Sequence, residues 1–223
     1  ETLSPHEGSS WGSILETLIT SPNLCSRQWI YRQYDHQVRT NTVELPGGDA
    51  AVIRLKNSKK GIAITTDCNS RYCYIDPYLG AELAVCESAR NLVCVGAKPL
   101  GLTDCLNFGN PQKPEVMWQF SQAVEGISNA CRQLEIPVVS GNVSFYNETN
   151  GQSIYPTPTI GMVGLLPDID LRVGHSFSEV GEGIILLGEN KKIFQEDSLG
   201  GSEYLAEIHH LERGPLASLD LDL

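Results

Sequence analysis

The stretch Ile136-Pro137-Val138-Val139-Ser140-Gly141-Asn142-Val143-Ser144-Phe145-Tyr146-Asn147-Glu148 starts as a short apolar run and breaks at a glycine into a polar loop. This is the pattern of a buried strand that delivers side chains to a ligand at its end. Gly141 admits close approach to the backbone. Asn142 offers a carbonyl oxygen, a ligand type that hard cations such as Mg2+ accept, and Ser144 a hydroxyl that donates or accepts. Two plainer readings fit the same residues. One is a turn that ends a strand. The other is N-glycosylation, since Asn142-Val143-Ser144 and Asn147-Glu148-Thr149 both match the acceptor pattern; that reading needs a secreted protein, which nothing else in the sequence supports.

Working upstream, Pro114 suits the first turn of a helix, and Met117, Phe120, Val124, Ile127, Cys131 and Leu134 form its expected buried stripe. Before it, Gly101 to Leu106 reads as a brief strand that hands over to the turn-rich Asn107-Phe108-Gly109-Asn110-Pro111, placing Asp104 near a strand end. A helix over 79–96 carries Ala81, Ala84, Val85, Ser88, Leu92 and Val95 on one face and stops at Gly96. Ala50 to Leu55 and Gly61 to Thr66 read as strands, with Asp67 just beyond the second, where α/β proteins place ligand-binding groups and where a turn-capping Asp is equally at home. Short helices are expected over Trp11 to Ile19 and within residues 24–34. Asp35-His36 could be an acid/base pair or a surface histidine beside a turn.

Downstream, Thr157 to Leu165 is a strand, Asp168 to Val173 is turn-like, and Gly183 to Gly188 reads as a buried strand. Gly200-Gly201-Ser202-Glu203 precedes a helix to about Leu211; the glycine pair fits a phosphate loop or, more simply, a turn and cap.

The formal net charge of −11 over 223 residues opposes binding to nucleic acid or to an anionic membrane. No apolar run reaches transmembrane length, and no signal peptide opens the sequence. The seven cysteines form no C-x-x-C pair, which suits reduced, buried thiols in a cytoplasmic protein and argues against zinc. The non-methionine start and the alternating Ser218-Leu219-Asp220-Leu221-Asp222-Leu223 suggest a fragment of a longer protein.

Four segments carry a resemblance: Tyr34-Asp35-His36-Gln37-Val38-Arg39-Thr40-Asn41-Thr42, Asp76-Pro77-Tyr78, Thr103-Asp104-Cys105-Leu106-Asn107-Phe108-Gly109-Asn110-Pro111, and Ser140 to Glu148. Across about residues 22–223 the chain resembles the second half of the phosphoribosylformylglycinamidine synthase family. The resemblance implies an α/β (α+β) fold: an aminoimidazole ribonucleotide synthetase-like N-terminal domain at 22–168, preceded by a flexible linker and short helix at 1–21 and followed by the opening of a C-terminal domain at 169–223. It implies a carbon–nitrogen ligase that turns formylglycinamide ribonucleotide, ATP and glutamine-derived ammonia into formylglycinamidine ribonucleotide, ADP and phosphate. Its partners would be the first half of the synthase and a glutaminase domain or subunit. Position by position, Asp104 and Gly141 match ATP-binding residues, Asn142 a Mg2+ ligand and Ser144 a substrate-contacting serine.

The family's catalytic histidines belong to the first half and are absent here, so the fragment is expected to be inactive alone. Where the first half has an Arg-Asp pair whose Asp binds metal, this chain has Arg90-Asn91, a weaker site. Two further readings stand beside the synthase: a non-catalytic half that builds structure or holds a nucleotide, and a related ATP-using synthetase of the same fold. With its partner half missing, the fragment is expected to pair with itself through Ala50 to Leu55, Gly61 to Thr66 and Thr157 to Leu165.

Overall fold

Asp76 and Pro77 begin the helix on which the sheet rests. The Asp76 carboxylate accepts the Leu79 amide at 3.0 Å, and Pro77 occupies the first turn, where its missing N–H costs nothing. A computed structural model describes residues 10–177, 179–185 and 199–221. Its helices are α1 (Trp11–Thr20), α2 (Gln28–Tyr31), α3 (Ser70–Ile75), α4 (Pro77–Cys94), α5 (Pro114–Gln133) and α6 (Glu203–His209). Its strands are β1 (Thr42–Glu44), β2 (Ala51–Arg54), β3 (Gly61–Asp67), β4 (Lys98–Asn107), β5 (Val138–Ser144), β6 (Glu148–Thr149), β7 (Gln152–Ser153) and β8 (Thr157–Leu166).

Six strands form one mixed sheet in the order β1-β2-β3-β8-β4-β5, and β6 and β7 make a separate small hairpin. Every pairing in the large sheet is antiparallel except β4–β5. That one parallel pair requires a long crossover, which α5 supplies. The last of the described strands, β8, lies between β3 and β4 and joins the two halves of the sheet.

One face of the sheet is covered by α4 and α5. Ala63, Leu102, Leu106, Ile160, Met162 and Leu166 point into this layer and are buried, against Ala81, Val85 and Leu92 from α4. The alternate residues Ile64, Thr66, Thr103, Cys105 and Val163 are exposed on the other face. Strand alternation alone produces this division.

The structure amends several expectations. The buried face of α5 runs through Val116, Ala123, Ile127, Ala130 and Cys131, while Met117, Val124 and Leu134 are partly exposed. The cause is close helix packing: a Cβ on Gly126 would collide with the Tyr78 carbonyl of α4, so small residues, not the largest apolar ones, mark the contact. β5 is an exposed edge strand, not a buried one: among the described residues it pairs with β4 alone, and its residues are exposed up to Ser144. Of the expected strand at 183–188, Gly183 to Ile185 are exposed and non-strand, and the remainder lies outside the described residues, as does most of the expected flexible start. The helix within 24–34 shortens to four residues. Only Cys73, Cys86 and Cys131 are buried; Cys94 and Cys105 are exposed.

Candidate functional site

The parallel pair sets its strand ends side by side. Thr103 lies opposite Ser140, Asp104 opposite Gly141, Cys105 opposite Asn142 and Asn107 opposite Ser144. Ligands commonly bind beyond the C-terminal ends of parallel strands in such sheets. The two loops that leave these ends are fixed from below by three phenylalanines. Phe108 is fully buried and meets Phe120 of α5 edge-on at 5.3 Å, and Phe120 meets Phe145 at 5.1 Å. Full burial of the Phe108 ring contributes roughly 1.5–3 kcal/mol, and the partly buried Phe120 and Phe145 add less. Around them, Glu148 accepts from Lys113 at 2.6 Å and from Ser153 at 2.9 Å, which joins the second loop to the start of α5 and to the small hairpin. The Lys113 ammonium holds the Glu148 carboxyl below its ordinary value.

The four residues matched to ligand roles divide between the two faces. Asp104 and Gly141 face the helix layer, and the Asp104 carboxylate fills the space a Gly141 side chain would need. It receives the backbone N–H of Asn142, yet partial burial outweighs this and pushes its pKa up. Ser140, Asn142 and Ser144 project from the opposite, open face. There Ser140 Oγ donates to Thr103 Oγ1 at 2.7 Å, and Asn142 turns its NH2 toward Cys105 Sγ at 3.8 Å. Ser144 lies opposite Asn107, whose amide is held by the Cys105 carbonyl at 3.0 Å. β5 is exposed on both faces, so a bound molecule can reach either side of this edge.

A second polar cluster lies across the sheet. A cavity of about 610 Å³ is lined by Gly48, Asp49, Thr66, Asp67, Glu87 and Asn91, among others. Asp67 takes three hydrogen bonds from the protein: Thr65 Oγ1 (2.9 Å) and Ser88 Oγ (2.8 Å) donate to Oδ2, and Asn91 Nδ2 (2.8 Å) donates to Oδ1. Asp67 is the last residue of β3, and its hydrogen bonds come from side chains of β3 and α4. Asn91 sits against it, and its amide supplies a hydrogen bond where a carboxylate would supply repulsion. Partial burial and the Asp67 charge push the Glu87 carboxyl up, against the pull of Arg90. Asp49 and Glu87 carry no sequence signal on their own. Ser88 does: a polar residue in the otherwise apolar stripe of α4 needs a buried partner, and Asp67 is that partner.

Asp35 and His36 do not act as a pair. Asp35 Oδ1 accepts the Gln37 amide at 2.8 Å, and His36 Nδ1 is buried without a hydrogen-bond partner. At Gly200–Glu203 the simpler reading holds. Ser202 Oγ caps α6 through the Leu205 amide at 3.2 Å, and the glycines let the backbone lie against Pro215 and Tyr72.

Residues 47–166 match the family described as AIR synthase related protein, N-terminal domain. The chain is 57% identical over 216 residues to phosphoribosylformylglycinamidine synthase subunit PurL of Moorella thermoacetica, covering 97% of this chain and 29% of that protein. It is 57% identical over 211 residues to the subunit of the same name from Alkaliphilus metalliredigens, covering 95% and 28%. The chain thus spans less than a third of the length of these curated relatives. Among solved structures it is similar to PurLQS from Thermotoga maritima, with a TM-score of 0.63 and 37% identity over 66% of this chain and 25% of that one. It is also similar to Thermotoga maritima PurL complexed with ATP (TM-score 0.57, 37% identity, 64% and 23% covered) and complexed with FGAR (0.57, 39%, 64% and 23%). With the family match extending over more than half of its residues, the chain belongs to the AIR synthase-related family and carries that family's N-terminal domain.

Proposed function

We propose that this chain is the second-half N-terminal domain, with the opening of the following domain, of a synthase that makes formylglycinamidine ribonucleotide from formylglycinamide ribonucleotide, ATP and glutamine-derived ammonia. The observation that carries the reading is the 57% identity, over nearly the whole chain, to the synthase subunit of Moorella thermoacetica. The strand-end geometry agrees with it. Asn142 and Ser144 share the open face at the end of β5, as a cation ligand beside a substrate contact requires. Asn142 spends its NH2 on Cys105, which leaves its carbonyl oxygen for a cation, and Mg2+ takes few protein oxygens. When bound, Mg2+ supplies neutralisation of phosphate charge. Asp104 and Gly141 serve ATP from the other side of the same edge, with Asp104 also fixing the Asn142 backbone. The first half of the synthase and a glutaminase complete the site, and the chain alone does not turn over.

The test is the full-length subunit assayed with ammonia. Asn142→Ala is expected to lower activity on the order of tenfold or more and to shift its Mg2+ dependence, with stability little changed. Unchanged kinetics across the Mg2+ titration would refute the metal role, and turnover by the isolated chain would refute the missing-half reading.

A second reading, a half that keeps structure without chemistry, draws support from one observation. Asp67 takes hydrogen bonds from Asn91, Ser88 and Thr65, so neutral groups of the protein already hold this carboxylate in the cavity across the sheet.

A further inference from the structure

Asn147 lies three residues beyond Ser144, and its side-chain nitrogen meets three acceptors at once: the Phe108 carbonyl at 3.0 Å, the Ser144 carbonyl at 3.0 Å and Ser144 Oγ at 3.1 Å. An amide NH2 has two hydrogens, so the three compete. Both carbonyls already receive a backbone amide: Phe108 N–H reaches the Ser144 carbonyl at 3.0 Å, and Asn147 N–H reaches the Phe108 carbonyl at 3.2 Å. The acceptor that gains most from Asn147 is therefore the Ser144 hydroxyl oxygen. Asn147 itself cannot drift, because Ile154 N–H holds its carbonyl at 3.0 Å, and Tyr146, in the left-handed region at φ 61°, is held by the Gly109 carbonyl at 2.9 Å. The opposite donation, from Ser144 Oγ to Asn147 Oδ1, spans 3.4 Å and is the weaker arrangement.

We propose that Asn147 is a positioning residue that occupies the lone pair of the Ser144 hydroxyl and so presents its hydrogen to an acceptor oxygen, phosphate or amide, of the bound substrate. The proposal rests on the reading of Ser144 as a substrate contact and adds to it the direction of the hydrogen bond and the group that sets it. Asn147 does not touch substrate. It also ties the loop after β4 to the loop after β5, so the hydroxyl is held relative to both strand ends.

The experiment is a double-mutant cycle in the full-length synthase subunit, assayed with formylglycinamide ribonucleotide, ATP and ammonia. Ser144→Ala and Asn147→Ala are each expected to raise KM for the ribonucleotide about tenfold while leaving KM for ATP within about twofold. Asn147→Ala introduced on top of Ser144→Ala is expected to add little. Asn147→Ser, too short to reach Ser144, serves if the alanine variant does not fold, with the same outcome expected. If Ser144→Ala alone changes nothing, the substrate reading falls and the proposal with it. If Ser144→Ala raises KM but the Asn147 effect is absent, or is undiminished in the Ser144→Ala background, the substrate reading stands and the positioning role is overturned.

Discussion

The side-chain amide of Asn91 donates to Asp67 Oδ1 at 2.8 Å, joining the last turn of α4 to the end of β3 through a neutral donor. Replacing it with Asp would set two carboxylates against each other. Unit charges 4 Å apart interact by about 4 kcal/mol in partly screened surroundings. Asn91→Asp is therefore expected to lose on the order of 2 kcal/mol at neutral pH, a fall in Tm of about 4–8 °C. Millimolar Mg2+ should restore it, and acid should too, since the repulsion raises the folded-state pKa and is absent once a carboxyl is protonated. Thermal melts with and without Mg2+ check this; a variant as stable as the parent and indifferent to the cation would show that Asn91 does not govern the site.

Asp104 gives a prediction of stability gained by removing charge. Its pKa is raised by burial, so the folded state binds its proton more tightly than the unfolded state does. Stability is then greatest below the ordinary carboxylate pKa and declines as pH rises toward the folded-state value. Asp104→Asn keeps an acceptor for the Asn142 amide and removes this decline. Its Tm at neutral pH is expected to exceed the parent's, with the two curves approaching each other in acid, while the full-length enzyme carrying it uses ATP less well. A neutral-pH Tm below the parent's would mean the carboxylate is stabilising.

Glu148 has the opposite sign. Its pKa is lowered, first by Lys113 and then by Ser153, so the ionised form is favoured in the fold. The contribution is present above the ordinary carboxylate pKa and lost as pH falls through the lowered value. Glu148→Gln is expected to be less stable than the parent at neutral pH and to match it in strong acid. Parallel curves across the whole range would locate the effect in packing.

The edge strand predicts association. Val138, Val139 and Val143 are 46%, 71% and 49% exposed along the β5 edge, and Ile64 and Val163 are exposed on the open face. Half of the β2–β3 surface expected to pair, including Ala50, Val52 and Ala63, is instead buried under the helices. The isolated chain is therefore expected to dimerise along β5 and the open face, and Val139→Lys should weaken the dimer. Light scattering over a dilution series measures it; a monomer at high micromolar concentration overturns it.

Strand and helix order was legible in the sequence wherever periodicity was clean. The α4 stripe Ala81, Ala84, Val85, Ser88, Leu92 and Val95 is buried throughout, and the strand–helix–strand order around α5 is the parallel crossover. The buried face of α5 departs from its stripe of large apolar residues because close packing at Gly126 selects small ones. β5 looked buried because the pattern of Val138, Val139 and Val143 reports a surface that wants cover, not whether this chain supplies it. The facing of the candidate residues was present in the sequence but unused. Gly141 and Asn142 are neighbours in a strand and cannot share a face. The hydrogen bonding of Asp67 draws on three residues from two elements, and no local pattern records that convergence.

Arg71 in α3 is largely buried and donates to Glu203 at 2.7 Å and to Glu212 at 3.2 Å, and Glu212 also takes the Tyr155 hydroxyl. A shortened protein that stops near Asp168, where the sheet ends, would remove both counter-ions together with the helix and segment that carry them. The two ion pairs that fasten α3 to residues 203–212 would go with them, and the α3 surface they cover would meet solvent. Anyone cutting the gene to obtain the sheet alone should therefore carry the reading frame through Glu212, or trade Arg71 for an uncharged residue first.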